Sequence, residues 1–249
     1  MSVTNTFISH LLELRDRLLR TLLVFVAVFI CLFPFANDIY TLLAQPMLAK
    51  LPAGGQMIAT AVTTPFFVPM KVAMMAAFLL TLPHSLYQIW SFVSPGLYAH
   101  ERKLMAPLVF ASTLLFLLGM AFAYFLVLPV VFGFITGIAP QGVAVMTDIG
   151  NYLDFILGLF MAFGLAFEVP VAVVMIVLFG WVEIASLKEA RGYVVVGAFV
   201  LGAIFTPPDV LSQIMLAIPL WLLYELGIII AGVLKRQRDA SPRLPDEQG

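Results

Sequence analysis

The sequence predicts an all-α integral membrane protein of six transmembrane helices, with both ends on the cytoplasmic side. Three observations carry this. Of 249 residues, 62% are apolar and 11% charged, against about 25% charged in a soluble domain, so too little polar surface exists to cover a globule in water. Six apolar runs approach or exceed the ~20 residues that a helix needs to cross the hydrocarbon core. Of the 13 Lys and Arg, all but Lys50 and Lys71 fall on one side once the spans are drawn, and that side is cytoplasmic by the positive-inside rule.

The spans, in order, are residues 18–40, 72–93, 106–132, 155–181, 193–205 and 210–234. "HLLELRDRLLRTLL" opens a helix that runs into the first. There Leu11, Leu14, Leu18 and Leu22 share one stripe, while Glu13, Arg17 and Arg20 share another. The segment reads as an anchor rather than a cleavable leader, because it carries both signs of charge and no convincing small-residue cleavage site. Pro65 and Pro69 precede the second span and Ser94-Pro95-Gly96 ends it. The fifth is short, roughly 20 Å of helix against a ~30 Å core, and Pro207-Pro208 turns it into the sixth. Two long loops, 35–70 and 133–154, fall on the extracytoplasmic side, with enough apolar residues for short capping helices and a helix start at Asn37-Asp38. Residues 1–234 thus read as one membrane domain, and 235–249 as a basic, then disordered, cytoplasmic tail.

Chemistry is sparse. His100-Glu101 opens an H-E-x-x pattern, but Leu104 stands where the zinc-protease motif needs histidine. No G-x-S-x-G elbow or phosphate-binding glycine loop occurs. Cys31 has no partner cysteine. A net charge of −1 gives no basic face for nucleic acid. The sequence therefore points away from an enzyme and calls for neither metal nor cofactor. Glu168 stands out, an acid in the middle of "GLFMAFGLAFEVPVAVVMIVLFGW". A charged carboxylate at mid-bilayer costs roughly 2.5–3.5 kcal/mol on insertion scales, so Glu168 is expected to face protein and to mark a path or a partner contact, or else to serve packing alone.

Several separated motifs bear on function: "FISHLLELRDRLLR", "FANDIY", "TTPFFVPMK", "LPHSLYQIWSFVSPGLYAHERK", "FLLGMAFAYF", "FGLAFEVPV" and "FTPPDVLSQIMLAIPLWLLYE". Together they make the chain resemble TatC, the multispanning subunit of the twin-arginine protein translocase. The resemblance implies a concave, glove-like bundle of six helices in the bacterial inner membrane. It implies a receptor for twin-arginine signal peptides and a scaffold for exporting folded proteins, driven by the proton-motive force. It also implies TatA- and TatB-type single-span partners and self-association in a larger complex.

By resemblance, signal-peptide binding falls to Glu101, with Arg102 beside it, and to Glu13, Arg15 and Arg17. Glu101 is the main acceptor. Glu13 is the second acceptor or the group that orients the site, and the two arginines set its shape and charge. The chemistry is sound, because paired guanidinium forks are met bidentately by carboxylates and lysine cannot reproduce the fork. Asp16 departs from the basic residue that relatives often carry. Glu168 matches the family's acid in the fourth helix, where it would serve as a hydrogen-bonding post for a partner helix or an inserted signal hairpin. Thr206, Asp209 and Gln213 fall on the face implied for docking the single-span subunits. Pro46, Pro83 and Asp148 match structural positions, the prolines as kinks or loop shapers and Asp148 as a cap. The alternative is a proton-coupled small-molecule transporter using Glu168, which predicts an internal repeat; none is apparent.

Overall fold

Proline decides where the apolar runs break. In the computed structural model, which describes residues 3–48, 57–93, 105–137, 147–205 and 210–240, all regular structure is helical apart from one isolated bridge, Ile58 to Asp148. Helix α1 (Val3–Leu32) stops at a 3-10 turn, Phe33–Phe35, centred on Pro34, and α2 (Ala36–Leu48) follows. After α3 (Thr64–Val93) comes α4 (Met105–Phe122). A π-helical turn, Ala123–Val127, joins α4 to α5 (Leu128–Gly137), and Leu128 N–H reaches back to the Ala123 carbonyl. Pro129 explains the turn, since it cannot donate to Phe125 and its ring crowds that carbonyl.

The expected fourth span is not continuous. It divides into α6 (Ile149–Phe167) and α7 (Val169–Leu178), with Glu168 between them. Pro170 has no N–H for the Ala166 carbonyl, so the chain tightens and Glu168 N–H bonds Leu165 O at 3.1 Å. Gly180, at φ +71°, then closes α7, so Trp181 lies beyond the helix. Short α8 (Ile184–Glu189), α9 (Arg191–Phe205) and α10 (Val210–Ala240) complete the described helices.

Other helix limits also differ from the sequence expectation. Helix α3 begins at Thr64 rather than 72, because Pro65 is tolerated in a first turn, where its missing N–H has no intrahelical partner to lose. Helix α10 continues to Ala240, past Lys235 and Arg236, cations that complement the negative end of the helix dipole. Among the described residues, five helical segments are long and apolar enough to cross a membrane: Ile8–Ala44, Thr64–Phe92, Ala106–Phe134, Ile149–Leu178 and Gln213–Gln237. Arg191–Ile204 is a shorter apolar helix, as expected for the fifth span.

Contacts divide the chain into two compact units, Met1–Phe163 and Gly164–Gly249. In the first, Val68, Val72 and Leu153 form a core on which Ile39, Tyr40, Leu43, Ile149 and Leu157 pack. Polar links tie its helices. Tyr152 OH donates to Leu43 O at 2.9 Å, Tyr124 OH to Leu42 O at 3.0 Å, and Trp90 Nε1 to Ser112 Oγ at 3.3 Å. Lys71 Nζ reaches Asp154 Oδ1 at 2.5 Å. In the second, Val173, Val174, Val177 and Leu178 pack on Leu187, Tyr224, Ile228 and Ala231. Tyr224 OH donates to Leu187 O at 2.7 Å, and Arg191 engages Glu225 at 2.6 Å.

Candidate functional site

The two stripes of α1 are inverted relative to a helix in water. Leu11, Leu14, Leu18 and Leu22 are all exposed, Leu18 by 66%, while Glu13 and Arg17 are half-buried. In a bilayer lipid solvates leucine, and polar side chains gain by facing protein. Glu13 and Arg17 of the polar stripe accordingly turn to α3, while Arg20 stays exposed. Arg17 donates through Nε and Nη2 to Glu13 Oε1, at 2.9 and 2.6 Å. Its Nη1 donates to Gln88 Oε1 at 3.2 Å. Gln88 Nε2 lies 3.4 Å from His84 Nε2. Glu13 Oε2 stands 4.0 Å from His10 Nδ1, and the His10 ring stacks on Phe92 at 4.2 Å.

Arg15 and Arg17 therefore differ. Arg15 turns to its neighbour, with Nε and Nη2 bonding Asp16 Oδ1 at 2.9 and 2.8 Å in an exposed pair. Asp16 balances Arg15 there and leaves Arg17 to Glu13. Glu101 and Arg102 lie outside the described residues. Gln88, His84, His10 and Phe92 are additions that the sequence reading did not assign. The spacing of His84 and Gln88, four apart on an apolar helix, is the signal that could have found them.

In the second unit Glu168 occupies the position before α7, and its carbonyl accepts from Ala172 N–H at 2.9 Å. Both its carboxyl oxygens are buried. Gln213 is half-buried near the start of α10. A Cβ placed on Gly202 of α9 would stand 3.5 Å from Gln213 Cα, so the two backbones run close there. Thr206 and Asp209 lie outside the described residues. Pro46 lies in α2 and Pro83 inside α3. Among the described residues, no three of His, Cys, Asp and Glu gather in a group that could hold a metal.

Asp148 sits just ahead of α6. Its Oδ1 accepts from Gly150 N–H and Asn151 N–H, each at 2.9 Å, as an N-cap. Its Oδ2 accepts from Thr60 N–H at 2.9 Å and Thr60 Oγ1 at 2.7 Å. One carboxylate thus caps a helix and pins a strand-like segment distant in sequence. The Asn151 backbone, then the Thr60 side chain and backbone, hold its pKa down from 3.8 to about 2. The lowered pKa means that its stabilisation is fully present above about pH 3.8 and is lost as pH falls through about 2. Asp148→Ala should lower the thermal midpoint in detergent by a few degrees from neutral pH down to pH 4. The gap to the parent should close toward pH 2. A gap unchanged down to pH 2 would contradict this assignment.

Comparisons place these features among known proteins. The family model for TatC, the Sec-independent protein translocase protein, matches residues 9–219. The chain is 51% identical over 233 residues to the Sec-independent protein translocase protein TatC of Escherichia coli (strain K12), covering 93% of this chain and 90% of that one. It is 50% identical over 232 residues to the protein of that name from Azotobacter chroococcum mcd 1, covering 93% and 91%. It is also similar to a crystal structure of the twin arginine translocase receptor TatC, with TM-score 0.77 and 38% identity, covering 91% of this chain and 100% of that chain.

Proposed function

This chain belongs to the TatC family of Sec-independent protein translocase proteins, and from that footing we propose that it receives twin-arginine signal peptides and forms the core scaffold on which folded proteins are exported. It is a multi-pass membrane protein of transport rather than a catalyst. The transporter alternative finds no support in the family match. It resides in the inner membrane with both termini cytoplasmic, consistent with the concentration of Lys and Arg at those ends. The proton-motive force drives export.

The observation that carries the receptor reading is the ordered guanidinium–carboxylate pair between Arg17 and Glu13 on α1, braced from α3 by Gln88. Of the two roles open to Glu13, this favours a carboxylate held in one orientation, with Oε1 on Arg17 and Oε2 4.0 Å from His10 Nδ1. Glu101 supplies the main acceptor, with Arg102 beside it. Arg15, balanced by Asp16, sets the local charge. Glu168 serves as a polar post for a transmembrane helix. Thr206, Asp209 and Gln213 form the docking face for TatA- and TatB-type single-span subunits, where interhelical hydrogen bonds are worth about 1 kcal/mol each.

Photo-crosslinkers placed at 9, one exposed turn from Glu13, and at 213 in the assembled complex test these assignments. Position 9 should capture the signal segment of an Arg-Arg precursor and not its Lys-Lys counterpart, and position 213 should capture a single-span subunit. Equal capture of both precursors at position 9 would refute the receptor reading.

A further inference from the structure

We infer that Gln88 is a positioning residue for signal recognition: buried in α3, it fixes the plane of the Arg17 guanidinium and, through it, the orientation of the Glu13 carboxylate. The inference rests on the receptor reading above. It begins with a mismatch of strength. A Glu–Arg pair four residues apart on an exposed helix is too weak to hold one geometry most of the time. Discrimination between arginine and lysine nevertheless needs a carboxylate whose direction is set before the ligand arrives, because the fork matches only when both partners are aligned.

Gln88 supplies the missing constraint. It is 8% exposed, so its own direct contact with a signal peptide is disfavoured. Both the guanidinium and the amide nitrogen are donors, so the amide must turn Oε1 to Arg17 and Nε2 to His84, as observed. His84 Nε2 then accepts, and the amide cannot flip without setting donor against donor. With Nε and Nη2 committed to Glu13 and Nη1 to Gln88, three donors on one rigid plane span two helices. Lysine at 17 could not fill this arrangement, since a single ammonium cannot offer three donors in a fixed plane. The relay runs from His84 through Gln88 and Arg17 to Glu13, whose side chain remains 38% exposed.

The test uses the full chain in detergent and two synthetic signal peptides, one bearing Arg-Arg and one Lys-Lys. Gln88→Leu should weaken Arg-Arg peptide binding about tenfold, the scale of one hydrogen bond to a charged group, and leave Lys-Lys binding unchanged. Gln88→Glu keeps an acceptor for Arg17 and, with His84 in the tautomer that donates from Nε2 to its second oxygen, should restore most of the loss. In an Arg17→Lys background, Gln88→Leu should add no further loss. Thermal unfolding of each variant guards against a folding defect, and Gln88→Glu keeps the test open if Gln88→Leu folds poorly. The inference is overturned if Gln88→Leu binds the Arg-Arg peptide like the parent, if it weakens both peptides equally, or if its penalty persists with lysine at 17. If the parent itself shows no preference for Arg-Arg, the receptor reading fails instead.

Discussion

Replacing Glu13 and Glu101 together with glutamine is expected to reduce docking of twin-arginine precursors by about a hundredfold or more, while the chain still inserts and folds. Each carboxylate can accept charge-assisted hydrogen bonds from a guanidinium, at about 1.5–3 kcal/mol per contact. Two such losses, discounted for the solvent that reaches a side chain 38% exposed, still leave a deficit of about 3 kcal/mol or more. Glutamine keeps the shape and one acceptor oxygen, so the change tests charge and the second lone-pair set rather than packing. The change at position 13 carries an additional effect. Arg17 keeps at most a neutral amide oxygen for Nε and Nη2 and loses its counter-charge, so an uncompensated cation is left beside the place where two more cations must bind. Glu13→Gln alone should therefore cost more than the loss of one acceptor implies. Precursor binding to membranes carrying the double variant measures this, and near-normal docking would remove the recognition assignment.

The second large effect lies in the other unit. A Cβ on Gly227 of α10 would stand 2.9 Å from Pro170 Cα, 3.1 Å from Val173 Cβ and 3.3 Å from Pro170 O. Two of those atoms are backbone, and Pro170 has little freedom to retreat, since its φ is fixed and it opens α7 directly after the break at Glu168. Small residues at such a crossing let membrane helices approach closely enough for dispersion to hold them. Gly227→Ala should destabilise by about 1–3 kcal/mol, the usual cost of overpacking. Gly227→Leu should separate α7 from α10 and sharply lower the amount of folded protein recovered. Gly158→Ala is the matched control: nothing lies within 4 Å of its added Cβ, and alanine is the better helix former. Thermal midpoints in detergent distinguish these outcomes, and equal effects at 158 and 227 would contradict the close-approach explanation.

The helices were readable in the sequence because lipid imposes a crude rule, a minimum length of apolar residues with the cations left at one end. The breaks inside them were less readable. Apolar residues flank Glu168 on both sides and read as one span, yet the chain divides there, because Pro170 withholds one hydrogen bond. Pro129 likewise produces a π turn that no apolar count reveals. At the site, the Glu13–Arg17 pairing follows from their spacing of four. The brace from Gln88 required knowing that α1 and α3 lie side by side, which brings together residues separated by 71 positions. Asp148 could be read as a cap from its place before α6. Its hold on Thr60, across 88 positions, could not.

The receptor assignment turns on whether the chain tells two guanidinium groups from two ammonium groups of equal charge. The most direct measurement is the ratio of affinities of the purified chain for signal peptides that differ only by Arg-Arg against Lys-Lys, at one ionic strength. The expected ratio is about tenfold or more in favour of arginine; a ratio of one would mean that no oriented carboxylate reads the fork.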